Sequence, residues 1–232
     1  LVGNALAGLA GTAAALYPIN STPAVVGFLR LSLGALTLLV LSVFTGATFK
    51  NFLRLLVRPT VWIMAISAAT YQALFFAAVE RVGVATAALV TVGCIPASAG
   101  IVGWLILRER PNLVWFIATT VALSGLAVRS FGELQTNNAS GLVFAVIAGT
   151  GIGGYLNAAK IEVRRGSNSM QLPGTAYLLG SVGLFAMVQK DVIKVEWTYQ
   201  AVGLALFVGN TCAPHINKPA CWLVHHLHHF HT

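Results

Sequence analysis

The sequence predicts an all-α polytopic membrane protein of about eight transmembrane helices, built on an inverted repeat. Three observations predict it. Apolar residues exceed what a soluble core of this length can bury. Long uncharged runs alternate with short charged gaps. Two copies of a small-residue helix motif are separated by an odd number of crossings. Hydrophobic residues make up 57% of the 232 and charged residues only 9%, against about 45–50% and about 25% in soluble domains. The surplus apolar surface must face lipid. The net charge of +8 does not point to nucleic acid, because the positive residues sit in the gaps between apolar runs rather than along one face.

A helix rises ~1.5 Å per residue, so ~20 apolar residues cross a ~30 Å hydrocarbon core. Residues 1–29 hold a first helix, a break at Tyr17-Pro18-Ile19-Asn20-Ser21-Thr22-Pro23, and the start of a second helix that runs past Arg30 to about Phe44. The central stretch, Pro59 to Pro111, reads as a pair of crossings. Pro59 to Val79 and Val82 to Leu107 hold no charge, and Glu80-Arg81-Val82-Gly83 form the turn between them. Pro111 to Val128 is a fifth span. A sixth begins near Gly141 and ends by Ala159, a seventh lies within Gly166 to Gln189, and an eighth starts at Trp197.

Loop charges set an orientation. With the first residue in the cytoplasm, the inside loops hold Lys50, Arg54, Arg58, Arg108, Arg110, Lys160, Arg164 and Arg165. The outside loops hold Arg81, Arg129, Lys190 and Lys194. Eight against four favours a cytoplasmic N-terminus. No charged leader precedes the first apolar run, and the chain begins with Leu rather than Met, as expected of a clipped N-terminus.

The repeat emerges when Gly3–Tyr17 is laid over Gly141–Tyr155 without gaps. Gly3/Gly141, Ala7/Ala145, Ala10/Ala148, Gly11/Gly149, Thr12/Thr150 and Tyr17/Tyr155 are identical. Small residues recur every four positions in both copies, ending with Gly141, Ala145, Gly149 and Gly153 in the second. That spacing lays them on one helix face, where backbones can meet in lipid. The copies are the first and sixth helices, an offset of five crossings, so the second enters from the opposite side, as in many secondary transporters. The domain reading is a first repeat over 1–130, a partial second repeat over 141–210 and an atypical His-rich tail over 211–232. Every histidine falls in that tail. A truncated or out-of-frame end of the reading frame is the favoured explanation, and a native divergent tail the other.

Tyr71, Gln72, Thr91 and Cys94 lie near the middles of the central pair and are candidates to line a path for a polar solute. Interhelical hydrogen bonding is their alternative role. Tyr17, Tyr155 and Asn157 are further candidates. Pro96 removes a donor and frees a carbonyl at mid-helix. Arg30 lies inside the second helix, where a charge costs ~2.5–3.5 kcal/mol on insertion scales and so calls for a partner or a purpose; a snorkelling side chain is the alternative. Glu109 between Arg108 and Arg110 reads as a structural ion pair at a helix end. His225, His228 and His229 share one side of a helical turn and are weak metal candidates, expected to bind adventitiously if at all. No HExxH, GxSxG or Gly-rich phosphate loop is present, so neither an enzyme nor a bound cofactor is expected.

The order of Tyr17-Pro18, Gly27-Phe28-Leu29-Arg30, Gln72-x2-Phe75-Phe76-x-Ala78, Ala85-x-Ala87-Ala88, Ile95-Pro96, Leu107-Arg108-Glu109-Arg110 and Ala122-Leu123-Ser124-Gly125-Leu126-Ala127 resembles the EamA-type transporters of the drug/metabolite transporter superfamily. The resemblance implies ten helices in two inverted five-helix repeats, of which about eight are present here, with both termini cytoplasmic and a cavity between the repeats. It implies alternating-access movement of small metabolites across the plasma (inner) membrane, often outward and often amino acids or related compounds. Pro96 and Glu109 match the family's fourth-helix proline and glutamate, and Arg30 its second-helix arginine. The expected partners are the lipid bilayer and a small solute, with a second copy or a second half as further candidates. The ninth and tenth helices have no counterpart. The rival readings are a non-transporting membrane protein that pairs with another half and, further off, a His-box metal enzyme.

Overall fold

The computed structural model describes residues 23–108, 113–135 and 139–192, and among them every regular element is helical. The helices are α1 (Pro23–Phe44), α2 (Phe49–Leu56), α3 (Pro59–Leu107), α4 (Leu113–Gln135), α5 (Ala139–Arg164) and α6 (Gln171–Val192). Three are long and apolar enough to cross a membrane, over Gly27–Phe44, Pro59–Ile106 and Ala139–Arg164. The apolar part of α4 is shorter, Leu113–Gly125.

α3 is 49 residues long, enough for two crossings, and its backbone leaves helical geometry at one residue, Gly83 (φ 77°, ψ 161°). An L side chain is disfavoured at this φ, and glycine has no Cβ to clash. The turn expected over Glu80–Gly83 is thus a single glycine, with residues 59–82 and 84–107 as the two arms. Pro96 does not break the second arm; the backbone departs from helix only at Gly83.

α5 is the centre of the packing. Its contacts rise in step with the turn and the second arm: Gly141 meets Arg81 and Val82 just before Gly83, Gly149 meets Thr91 and Cys94, and Gly153 meets Ser98 and Ala99. The two run parallel. Against the first arm the order reverses, from Gly151 and Gly154 at Ser67 to Glu162 at Thr60 and Arg58. α6 lies antiparallel on α1, with Phe28 near Phe185, Leu31 near Gly180 and Leu38 near Gly174. Many outward-facing side chains are large and apolar: Leu36 and Val40 on α1, Ile63 and Ile66 on the first arm, Val92 and Ile101 on the second, Val143 and Ile147 on α5 are all exposed. In a chain of this composition that outer surface faces acyl chains.

α2 lacks a counterpart in the sequence reading. Phe49 and Leu53 are exposed and Phe52 and Leu56 half-buried on one side, with Lys50, Asn51 and Arg54 on the other and Leu55 buried in the core. That pattern suits a helix lying in the membrane interface. The Trp62 indole donates to the Leu56 carbonyl at 2.8 Å while its ring stays exposed, a placement typical of the interfacial level.

Candidate functional site

The two ends of the bundle are marked by charge. At one, Arg81 stands over the Phe144 ring, 4.3 Å from its centroid. At the other, Glu162 is fully buried and gathers four donors. Arg58 and Thr60 donate to it in short contacts, the Arg165 guanidinium donates at 2.9 Å and the Ser167 hydroxyl at 3.1 Å. Phe144 and Glu162 are about 27 Å apart along α5 at ~1.5 Å per residue, close to a hydrocarbon thickness. Three helix and loop segments are thereby pinned at one carboxylate. Glu162 stands in no motif of the sequence, although it is one of only six acids in the chain and sits beside Arg164 and Arg165.

Between these ends, the small-residue stripe of α5 lies on the second arm of α3. A Cβ at Gly149 would stand 2.6 Å from the Thr91 carbonyl oxygen and 2.8 Å from the Cys94 Cβ. At this distance side-chain hydroxyls reach across: Thr91 donates to the Ala145 carbonyl at 3.2 Å and Ser98 to the Gly149 carbonyl at 3.2 Å. One turn further, the Asn157 amide donates to the Ala99 carbonyl at 2.9 Å and to its own Gly153 carbonyl at 2.9 Å. Thr91, Cys94 and Asn157 therefore sit in one seam between two helices. Tyr155 is buried lower down, its ring 6.1 Å from that of Tyr177.

The remaining candidates lie elsewhere on the bundle. Tyr71 is half-buried, its ring 5.6 Å from Phe75, in the same apolar cluster as Cys94. Its sequence neighbour Gln72 faces α1, where a Cβ at Gly27 would come within 3.0 Å of the Gln72 Cβ. Gln72 is buried, and its side-chain oxygen has no hydrogen-bond partner among the described residues. An unpaired polar group at mid-membrane costs several kcal/mol, so this amide stands apart from the satisfied groups of the seam. Arg30 is half-buried on α1 and is engaged rather than free. Pro96 is exposed on the side of the second arm away from α5. Arg108 ends α3 in a left-handed conformation, φ 54°, its N–H on the Gly103 carbonyl. Tyr17, Glu109, Arg110, His225, His228 and His229 lie outside the described residues, and no cluster of metal-ligating side chains occurs among the described ones.

A family model described as the EamA-like transporter family matches residues 1–131. The chain belongs to that family. A Bacillus subtilis (strain 168) relative named as the uncharacterized transporter YwfM is 29% identical over 210 residues, which is 89% of this chain and 69% of the relative. No solved structure matches the chain. Family and relative make this a membrane transporter of the drug/metabolite superfamily, and both point to transport rather than to an enzyme. The described helices carry an apolar outer surface and bury a few polar side chains between them.

Proposed function

We propose that the protein is a secondary transporter that moves small metabolites, amino acids or related compounds, out of the cell by alternating access in the plasma membrane. The observation that carries this reading from membership to a solute is the bare oxygen of Gln72. It is a buried acceptor at the middle of the first arm, suited to an ammonium or hydroxyl group, and it carries no fixed charge that would trap the solute. Tyr71 next to it, Cys94 in the same apolar cluster and Arg30 on α1 are the further groups assigned to the path, with Tyr17, Thr91, Pro96, Tyr155 and Asn157 as its outlying candidates.

The antiparallel seating of α6 on α1 supports an inverted relation between the two halves. Arg54, Arg58 and Arg165 at one end, against Arg81 at the other, support a cytoplasmic placement of the richer end and of the N-terminus. Substrate choice then rests on the groups around Gln72 rather than on bound cofactors.

Flux in proteoliposomes tests the reading. The full chain is reconstituted and loaded with a mixture of labelled amino acids. Saturable efflux above protein-free liposomes, reduced in Gln72→Leu while that variant melts no lower than the wild type, is the expected result. Flux equal to empty liposomes for the wild type sinks the transporter reading and leaves a membrane partner protein in its place.

A further inference from the structure

Beside the Glu162 cluster lies an open cleft of about 150 Å³ between α2 and the turn that joins α5 to α6. Asn51, Arg54, Arg58, Arg165, Ser167 and Gln171 line it. The cleft is away from the mid-depth groups and independent of the transport reading. Its charge is unbalanced. Arg58 and Arg165 share the single carboxylate of Glu162, and Arg54 is exposed with no ion pair among the described residues. Three guanidinium groups against one carboxylate leave two positive charges around a small polar cavity. Guanidinium forks match phosphate oxygens in pairs.

A second group in the cleft is also unsatisfied. The Gln171 amide nitrogen donates to the Thr48 carbonyl at 3.1 Å, which fixes the direction of the amide. Its oxygen, in a side chain 4% exposed, has no partner among the described residues. The cleft thus offers an anion site and, beside it, an acceptor for a hydroxyl or ammonium donor. Its outer wall is α2, whose Phe49 and Leu53 are exposed on the face opposite Lys50, Asn51 and Arg54. A helix so arranged lies with its apolar face at the acyl-chain boundary, which brings the cleft to headgroup level.

We propose that this cleft binds the phosphate of an anionic phospholipid headgroup, with Arg54, Arg58 and Arg165 on the phosphate oxygens and Gln171 accepting from a headgroup hydroxyl. The occupant is a lipid rather than a free phosphate because α2 sets the opening beside the acyl chains.

The test uses the full chain purified in a neutral detergent and follows its melting temperature. Short-chain dioctanoyl phosphatidylglycerol, the matching phosphatidylcholine, and inorganic phosphate are titrated separately. Phosphatidylglycerol is expected to raise the melting temperature saturably, while the other two do not. Arg54→Gln, which disturbs none of the Glu162 contacts, is expected to raise the half-saturating concentration about tenfold, as for loss of one charge-assisted hydrogen bond. Gln171→Leu is expected to weaken phosphatidylglycerol several-fold. Lys50→Gln removes a charge from the same face of α2 without touching the cleft and is expected to leave binding unchanged. Equal weakening by Lys50→Gln and Arg54→Gln would reduce the effect to surface charge and overturn the proposal. An effect of inorganic phosphate equal to that of the lipid, or no lipid effect, would overturn it as well.

Discussion

Gly149 and Thr91 make backbone contact across two helices: a methyl group on Gly149 would lie 2.6 Å from the Thr91 carbonyl oxygen. The neighbouring obstacle is the Cys94 Cβ at 2.8 Å, so neither side can swing away as the end of a flexible chain would. Gly149→Ala must push α5 off the second arm, stretching the Thr91–Ala145 and Ser98–Gly149 hydrogen bonds together. The expected loss is about 1–3 kcal/mol, the usual range for overpacking. Thermal unfolding in detergent measures it, and Thr150→Ala, on an exposed position of the same helix, is the control that should change little.

Glu162 governs stability at the opposite end of the same helix. Glu162→Gln removes the charge that holds Arg58 and Arg165 together and leaves one amide oxygen for four donors. Breaking a fully buried pair costs about 3–5 kcal/mol. Here the guanidinium partners are 35% and 53% exposed and water can take them back, so a loss of about 1–3 kcal/mol is expected. A melting-temperature drop that 1 M salt does not reproduce in the wild type would show that the buried carboxylate, not surface screening, sets the effect. An unchanged melting temperature in Glu162→Gln would count against a structural role for the cluster.

Gly149 and Glu162 also show how far the sequence could be read. A spacing of four small residues needs only helical periodicity to be placed on one face, so the stripe from Gly141 to Gly153 was legible before any coordinates. Its partner was not: that the stripe lies on residues 82–99 rather than on some other helix depends on long-range packing. α2 was missed because eight residues in a polar gap fall below the length of any crossing, although the order Phe49-Lys50-Asn51-Phe52-Leu53-Arg54 already has helical amphipathicity. Glu162 was passed over because a charge beyond the apolar run reads as a loop charge, whereas α5 continues to Arg164 and buries it. Tyr71 and Gln72 could be named together from sequence. Only the structure separates them, Tyr71 with the Phe75 cluster and Gln72 against Gly27.

The turn at Gly83 offers a test of conformation without packing. A Cβ added there meets nothing within 4 Å, yet φ is 77°. Gly83→Ala should therefore cost about 1 kcal/mol from backbone strain alone. The same substitution at Gly125, which also has open space but carries no such φ, should cost nothing or stabilise the helix slightly. Equal melting temperatures for the two variants would mean that residues 59–107 do not turn at Gly83.

Asn157 and Gln72 are both buried amides in lipid-spanning helices, and replacing each should move stability in opposite directions. Asn157 is satisfied: its nitrogen bridges from α5 to the Ala99 carbonyl at 2.9 Å. Asn157→Ala gives up one interhelical hydrogen bond, about 0.6 kcal/mol on the average for membrane proteins. Gln72 has an oxygen with no partner among the described residues, and Gln72→Leu keeps the Cβ that packs on Gly27 while removing the unpaired group, a gain of about 1 kcal/mol. On the proposed path, the stability gained by removing this group is set against a loss of flux, the usual trade-off between stability and activity. Gln72→Leu should accordingly melt higher and transport less, and Asn157→Ala should melt slightly lower with flux preserved. Both quantities come from one set of preparations, melting in detergent and efflux from liposomes. If Asn157→Ala abolishes flux at unchanged stability, the path runs along the α3–α5 seam through Asn157 and not beside Gln72.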